Sequence, residues 1–95
     1  MTYTLQTDVA LVTVCGENFL IAAGEARGKV PYIEGITRPG VYFWCLLEMH
    51  IDTDEIIRRA AEDYNVPEET AKIAFDRFAD SLKKKGYLFW NEVSR

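Results

Sequence analysis

The chain offers one histidine and two cysteines, and the chemistry open to them is narrow. His50 stands where a helix should end, with no second His, Cys or carboxylate at ligand spacing. A lone imidazole in that setting reads as a surface group rather than a zinc ligand or general base. Cys15 and Cys45 form no C-x-x-C or other metal spacing. Cys15 should end a strand and Cys45 should lie in an apolar helix, so both are expected as buried, reduced thiols. Reduced thiols fit a cytoplasmic compartment. Carboxylates recur on helix faces near basic residues, as Glu69 does with Lys72, which is a solvated pattern. No Ser-His-Asp or Cys-His context, HExxH, P-loop or G-x-G-x-x-G is present. The residues therefore predict no enzyme, no metal and no cofactor.

One stretch points to a different kind of chemistry. Val30–Ile36, "VPYIEGI", has the β-favouring residues of a strand. Pro31 cannot donate a ladder hydrogen bond and Gly35 has no side chain to pack, so the strand belongs at the rim of a sheet. A rim strand shows unpaired N–H and C=O groups that an extended peptide can complete.

The elements around it follow from composition and period. Ninety-five residues form one domain, 1–95, with 48% apolar residues to build a core. The formal charge of −4 disfavours nucleic acid. The first residues lack a signal peptide pattern, and no apolar run is long enough to span a membrane. Strands are expected over about 7–36. "DVALVTVC" and "FLIAA" flank a "GEN" hairpin turn in which Gly16 and Asn18 take positive φ. "GEARGK" is then a polar loop before the third strand.

From Thr37 to about residue 86 the period is helical. Thr37 caps a first helix with Pro39 in its first turn. Asp52 with Glu55 reads as a capping box for a second, whose stripe is Ile56, Ile57, Ala60, Ala61 and Tyr64. Pro67 sits in the first turn of a third, whose apolar face is Ala71, Phe75, Phe78 and Leu82, ending in Lys83–Lys85 and Gly86. The apolar tail, 87–95, opens with "YLFW", either a short closing strand or a segment packed on the core. The fold class is α+β and winged-helix-like: a three-stranded antiparallel meander followed by three α-helices.

In this order the residues resemble a known family. "DTDEIIRRAAEDYNVPEETAKIAFDRFADSLKKKGYL" is similar to the helical half of PqqD-like proteins, which recognise precursor peptides in ribosomal peptide natural-product pathways. Asp52, Glu55, Ile56, Tyr64, Phe78, Leu82, Gly86 and Leu88 stand at the family's positions, and Ile36, Thr37, Gly40, Phe43 and Leu46 match its approach to the first helix. The likeness covers about Asp8 to Leu88. The chain departs at Ala74, where the family often has an acid, and at Ile36-Thr37 in place of Leu-Asn.

The resemblance implies binding rather than catalysis. Members hold the leader segment of a precursor peptide as an added strand on the third strand, in the groove beside the third helix. They present it to a modifying enzyme, often a radical SAM maturase, or in other pathways to a leader protease. On this chain Tyr32, Ile33, Glu34 and Gly35 are the expected strand contacts. If Pro31 faces outward, so do the backbone groups of Ile33 and Gly35. On the helix two flanks of the apolar face are open to the groove. Ala74, Arg77, Phe78 and Ser81 are the favoured one, where Ala74 and Ser81 leave room, Phe78 floors a pocket and Arg77 meets an acidic leader residue. The other, Lys72, Asp76 and Lys83, suits water better.

Plainer roles compete for the same residues. Phe78 also fits the core, Arg77 a solvated charge near Asp80, and the lysine run helix-dipole partners. The rival function is a winged-helix DNA-binding or transcription-associated module. It would have to insert "PEET", with two acids, into the groove of DNA, while its basic residues gather at the helix's far end. A free sheet edge also permits pairing with a second copy, so a monomer and an edge-paired homodimer both stay open.

Overall fold

Valine-rich alternation and helical apolar stripes produce the expected α+β order, with an additional strand at the front. The computed structural model describes residues 2–91; the end of the apolar tail, 92–95, lies outside them. The elements are β1 Thr2–Leu5, β2 Val9–Val14, β3 Glu17–Ala22, β4 Ile33–Ile36, α1 Arg38–Glu48, α2 Thr53–Tyr64, α3 Glu68–Lys85 and β5 Leu88–Asn91. Strands β2, β3 and β4 form an antiparallel meander, and β1 pairs with β5 in a separate two-stranded sheet. The apolar tail is thus a strand through Asn91, and "TYTL" at the front is its partner.

The hairpin turn falls one residue earlier than the sequence suggests. Cys15 and Gly16 are its two central residues, both at positive φ (52° and 79°), while Asn18 is already in β3. Two such residues match the right-handed twist of the flanking strands. The Cys15 thiol therefore sits at an exposed turn. Cys45 is exposed as well, because α1 buries Gly40, Phe43, Trp44 and Leu47 and turns Cys45 away from them. Neither thiol is buried as expected.

The strand over Val30–Ile36 is shorter than expected. Val30 is buried after a single 3-10 turn, Gly24–Gly28, and pairing begins in β4 proper, although the Ala22 N–H already bonds the Tyr32 carbonyl at 2.9 Å. One face of the meander lies on the core through Leu20 and Ala22. Val12, Phe19 and Ile21 lie half-buried on the other face.

The helices close the core. Thr37 caps α1, its hydroxyl accepting from the Gly40 N–H at 3.3 Å. Asp52 caps α2 through the Asp54 N–H at 3.2 Å, but Glu55 pairs with Arg58 and Arg59 instead of reaching back, so the capping box is half made. Tyr64 leaves the expected stripe: it is 48% exposed, its ring edge-on to Tyr42 at 5.3 Å. Pro67 is the N-cap of α3 rather than a first-turn residue. Helix α3 buries Ala71, Phe75, Ala79 and Leu82, with Phe78 half-buried at the border of the core. Gly86 ends it at φ 90°, which sends Tyr87 back to the interior. Tyr3 of β1 is fixed by its hydroxyl, which donates to the Ile51 carbonyl at 2.7 Å, and by stacking on the half-buried Trp90.

Candidate functional site

The site begins with the hydrogen-bond parity of β4. The register pairs Leu20 with Glu34 and Phe19 with Gly35. The bond from Ala22 to Tyr32 fixes which residues turn their backbone groups towards β3. In an antiparallel ladder these alternate, so Tyr32, Glu34 and Ile36 bond inward while Pro31, Ile33 and Gly35 turn outward. Among the described residues no strand pairs with that outer edge. The Pro31 carbonyl is met by the Tyr87 hydroxyl at 3.2 Å. Free strand-pairing groups remain at Ile33 and Gly35.

Beside this edge runs a cleft of about 170 Å³ between β4 and α3. Glu34, Gly35, Ile36 and Thr37 form one wall, and Phe78, Ser81, Leu82, Lys85 and Tyr87 the other. The Lys85 ammonium pairs with the Glu34 carboxylate across its open end. Burial, with a smaller contribution from Glu34, pushes the Tyr87 phenol above its ordinary pKa, so it stays a donor to the Pro31 carbonyl. At the other end Gly40 brings α1 against Phe78, since a Cβ at Gly40 would lie 3.0 Å from the Phe78 ring. The Phe78 ring also packs on Phe43, 6.0 Å between centroids, which holds it upright as a floor.

Of the eight residues singled out from the sequence, Glu34, Gly35, Phe78 and Ser81 come together in this cleft. Tyr32 and Ile33 lie on the strand next to it, 57% and 53% exposed, and the Arg27 guanidinium sits over the Tyr32 ring at 4.7 Å. Arg77 is not brought to the cleft. It lines a separate, wider hollow with Asp76, Ala79, Asp80, Lys83 and Trp90. Ala74 lies further along α3, in an apolar hollow with Pro39, Phe43 and Tyr64.

Sequence reasoning missed Ile36, Thr37, Leu82, Lys85 and Tyr87. The i, i+3, i+4 line through Phe78, Ser81, Leu82 and Lys85 was the available signal for two of them. Tyr87 gave none, because its direction depends on the left-handed Gly86.

The arrangement can hold an extended backbone and an apolar side chain. Among the described residues no group of three His, Cys, Asp or Glu side chains could hold a metal ion, and no helix is long and apolar enough to cross a membrane. The family model described as "Coenzyme PQQ synthesis protein D (PqqD)" matches residues 35–88, a stretch that starts at Gly35 and runs through all three helices. No curated protein and no solved structure matches the chain.

Proposed function

The chain belongs to the PqqD family of coenzyme PQQ synthesis, accessory proteins of natural-product biosynthesis, and we propose that it binds the leader segment of a ribosomally made precursor peptide. The leader adds as a strand on the outer edge of β4. The observation that carries this reading is the pair of free backbone positions, Ile33 and Gly35, beside a cleft floored by Phe78 and Leu82. Main-chain bonds supply affinity and the cleft supplies choice of side chain. Gly35 has no Cβ to keep a second backbone away.

A peptide held in this way has its remaining length free, and a modifying enzyme, such as a radical SAM maturase, takes it from there. The whole span 1–95 acts as one peptide-binding unit without catalysis of its own, in the reducing cytoplasm, where its exposed thiols stay free.

The test is a titration of the ¹⁵N-labelled protein with candidate leader peptides of ribosomally made precursors. Amide shifts are expected at Tyr32–Ile36 and along α3 from Phe78 to Lys85. Shifts confined to other surfaces, or none at saturating peptide, would overturn the assignment. Raising salt should weaken binding only modestly, whereas contact with nucleic acid would be lost steeply.

A further inference from the structure

The groove is not the last feature on this face of α3. At 100° per residue, Thr70, Ala71, Ala74, Phe78, Ser81, Leu82 and Lys85 fall within a sector of about 120°. The last four line the cleft beside β4, and the first three line the second hollow, of about 180 Å³. Pro39, Phe43, Ala60, Tyr64 and Val66 complete its apolar walls. The two depressions meet at a shared partition, where Phe43 of the hollow packs on Phe78 of the cleft. Strand β4 runs from Glu34, opposite Lys85, to Ile36 and Thr37, opposite Phe78, so its direction leads from the cleft towards Pro39 and the hollow.

We infer that the hollow beside Ala74 is a second subsite for the same peptide, taking an apolar side chain about four residues along from the one that enters the cleft. This rests on the peptide reading above. The centres of the two linings are about ten helical residues apart, or about 15 Å at 1.5 Å per residue. An extended chain covers that in about four to five residues at 3.3 Å each, and only the even spacing keeps both side chains on one side. The hollow has no charged residue in its lining, so the side chain it takes is aliphatic or aromatic.

The experiment displays random 12-residue peptides against the immobilised full chain, and against A74W. Ala74 is exposed, so the indole fills the hollow without entering the core. Wild type is expected to enrich sequences with two apolar positions about four apart, and A74W only the one for the cleft. One enriched peptide should lose about tenfold in affinity on A74W, and little once its second apolar residue is alanine, the pattern of a shared contact. T70W repeats the test from the other rim should A74W fail to fold. Peptides with a single apolar position, or with a pair that both variants bind equally well, would overturn the second subsite alone. Failure to enrich any peptide, or enrichment that G35P leaves unchanged, would overturn the strand-addition reading as well.

Discussion

Lys85, in the last turn of α3, forms an ion pair with Glu34 on β4, joining the two walls of the cleft between these elements at its open end. The pair is solvent-accessible and joins residues 51 apart in the chain. An accessible pair of this kind contributes at most about 1 kcal/mol. E34Q should therefore shift the free energy of urea unfolding by less than about 1 kcal/mol. It should also strengthen binding of peptides with an acidic residue at that end, since Lys85 is released. A destabilisation well above that bound would mean that the pair braces the sheet.

Two proline substitutions on neighbouring residues should behave differently. The Gly35 N–H points away from β3, so G35P removes no ladder bond and should leave the melting curve almost unchanged. Peptide affinity should fall about tenfold or more, through one lost hydrogen bond and a ring in the path of the second backbone. The Glu34 N–H faces Leu20, so E34P should destabilise the fold itself. Circular dichroism melts and calorimetric titration separate the two. Equal loss of stability in both would contradict the parity assigned to β4.

At Gly40 the constraint is steric. An added methyl would lie 3.0 Å from the Phe78 ring and 3.5 Å from the Ile36 Cβ. G40A should cost about 1–3 kcal/mol in chemical unfolding and tilt Phe78 into the cleft, lowering peptide affinity in parallel. A stable G40A that binds normally would show that Phe78 does not set the floor.

Tyr42 ties α1 to α2 by donating its hydroxyl to the Asp63 carboxylate. Burial, then that hydrogen bond and the nearby negative charge, push its phenol up to about 12. Its folded pKa lies above the unfolded value of about 10, so its contribution is complete below the unfolded pKa. It is lost as pH rises through the folded one. Stability should decline between about pH 10 and 12 and be less steep in Y42F. Urea midpoints across that range provide the check, and identical slopes would contradict the role given to this pair.

Period and punctuation made the meander and the three helices legible, because Val, Leu and Ile recur at the right spacing and Thr37, Pro39 and Gly86 mark ends. The front strand was not legible: Thr2–Leu5 is four residues long and pairs with Leu88–Asn91 at the far end of the chain. Such non-local pairing leaves no local pattern. Cys15 was misread because the turn placed it, beside Gly16 and in place of Asn18, at positive φ, and that choice depends on the register of the whole hairpin. Cys45 shows that an apolar helix still has an open side. In the candidate site, Gly35, Phe78 and Ser81 could be picked out from the edge strand and the helical stripe. Arg77 and Ala74 went elsewhere for different reasons: Arg77 falls about 20° outside the 120° sector, and Ala74, inside it, lies two turns nearer the start of α3 than the cleft. Lys85 and Tyr87 reach the cleft only because α3 runs its full length and reverses at Gly86.

The most direct test is residue-resolved amide hydrogen exchange with and without the leader peptide. On this account the Ile33 and Gly35 amides, which have no strand partner in the free protein, become protected by at least tenfold on binding. The Glu34 amide, already bonded to β3, changes little. Protection that appears instead on the outer edge of β2, or that is the same at Ile33, Glu34 and Gly35, would contradict strand addition at β4.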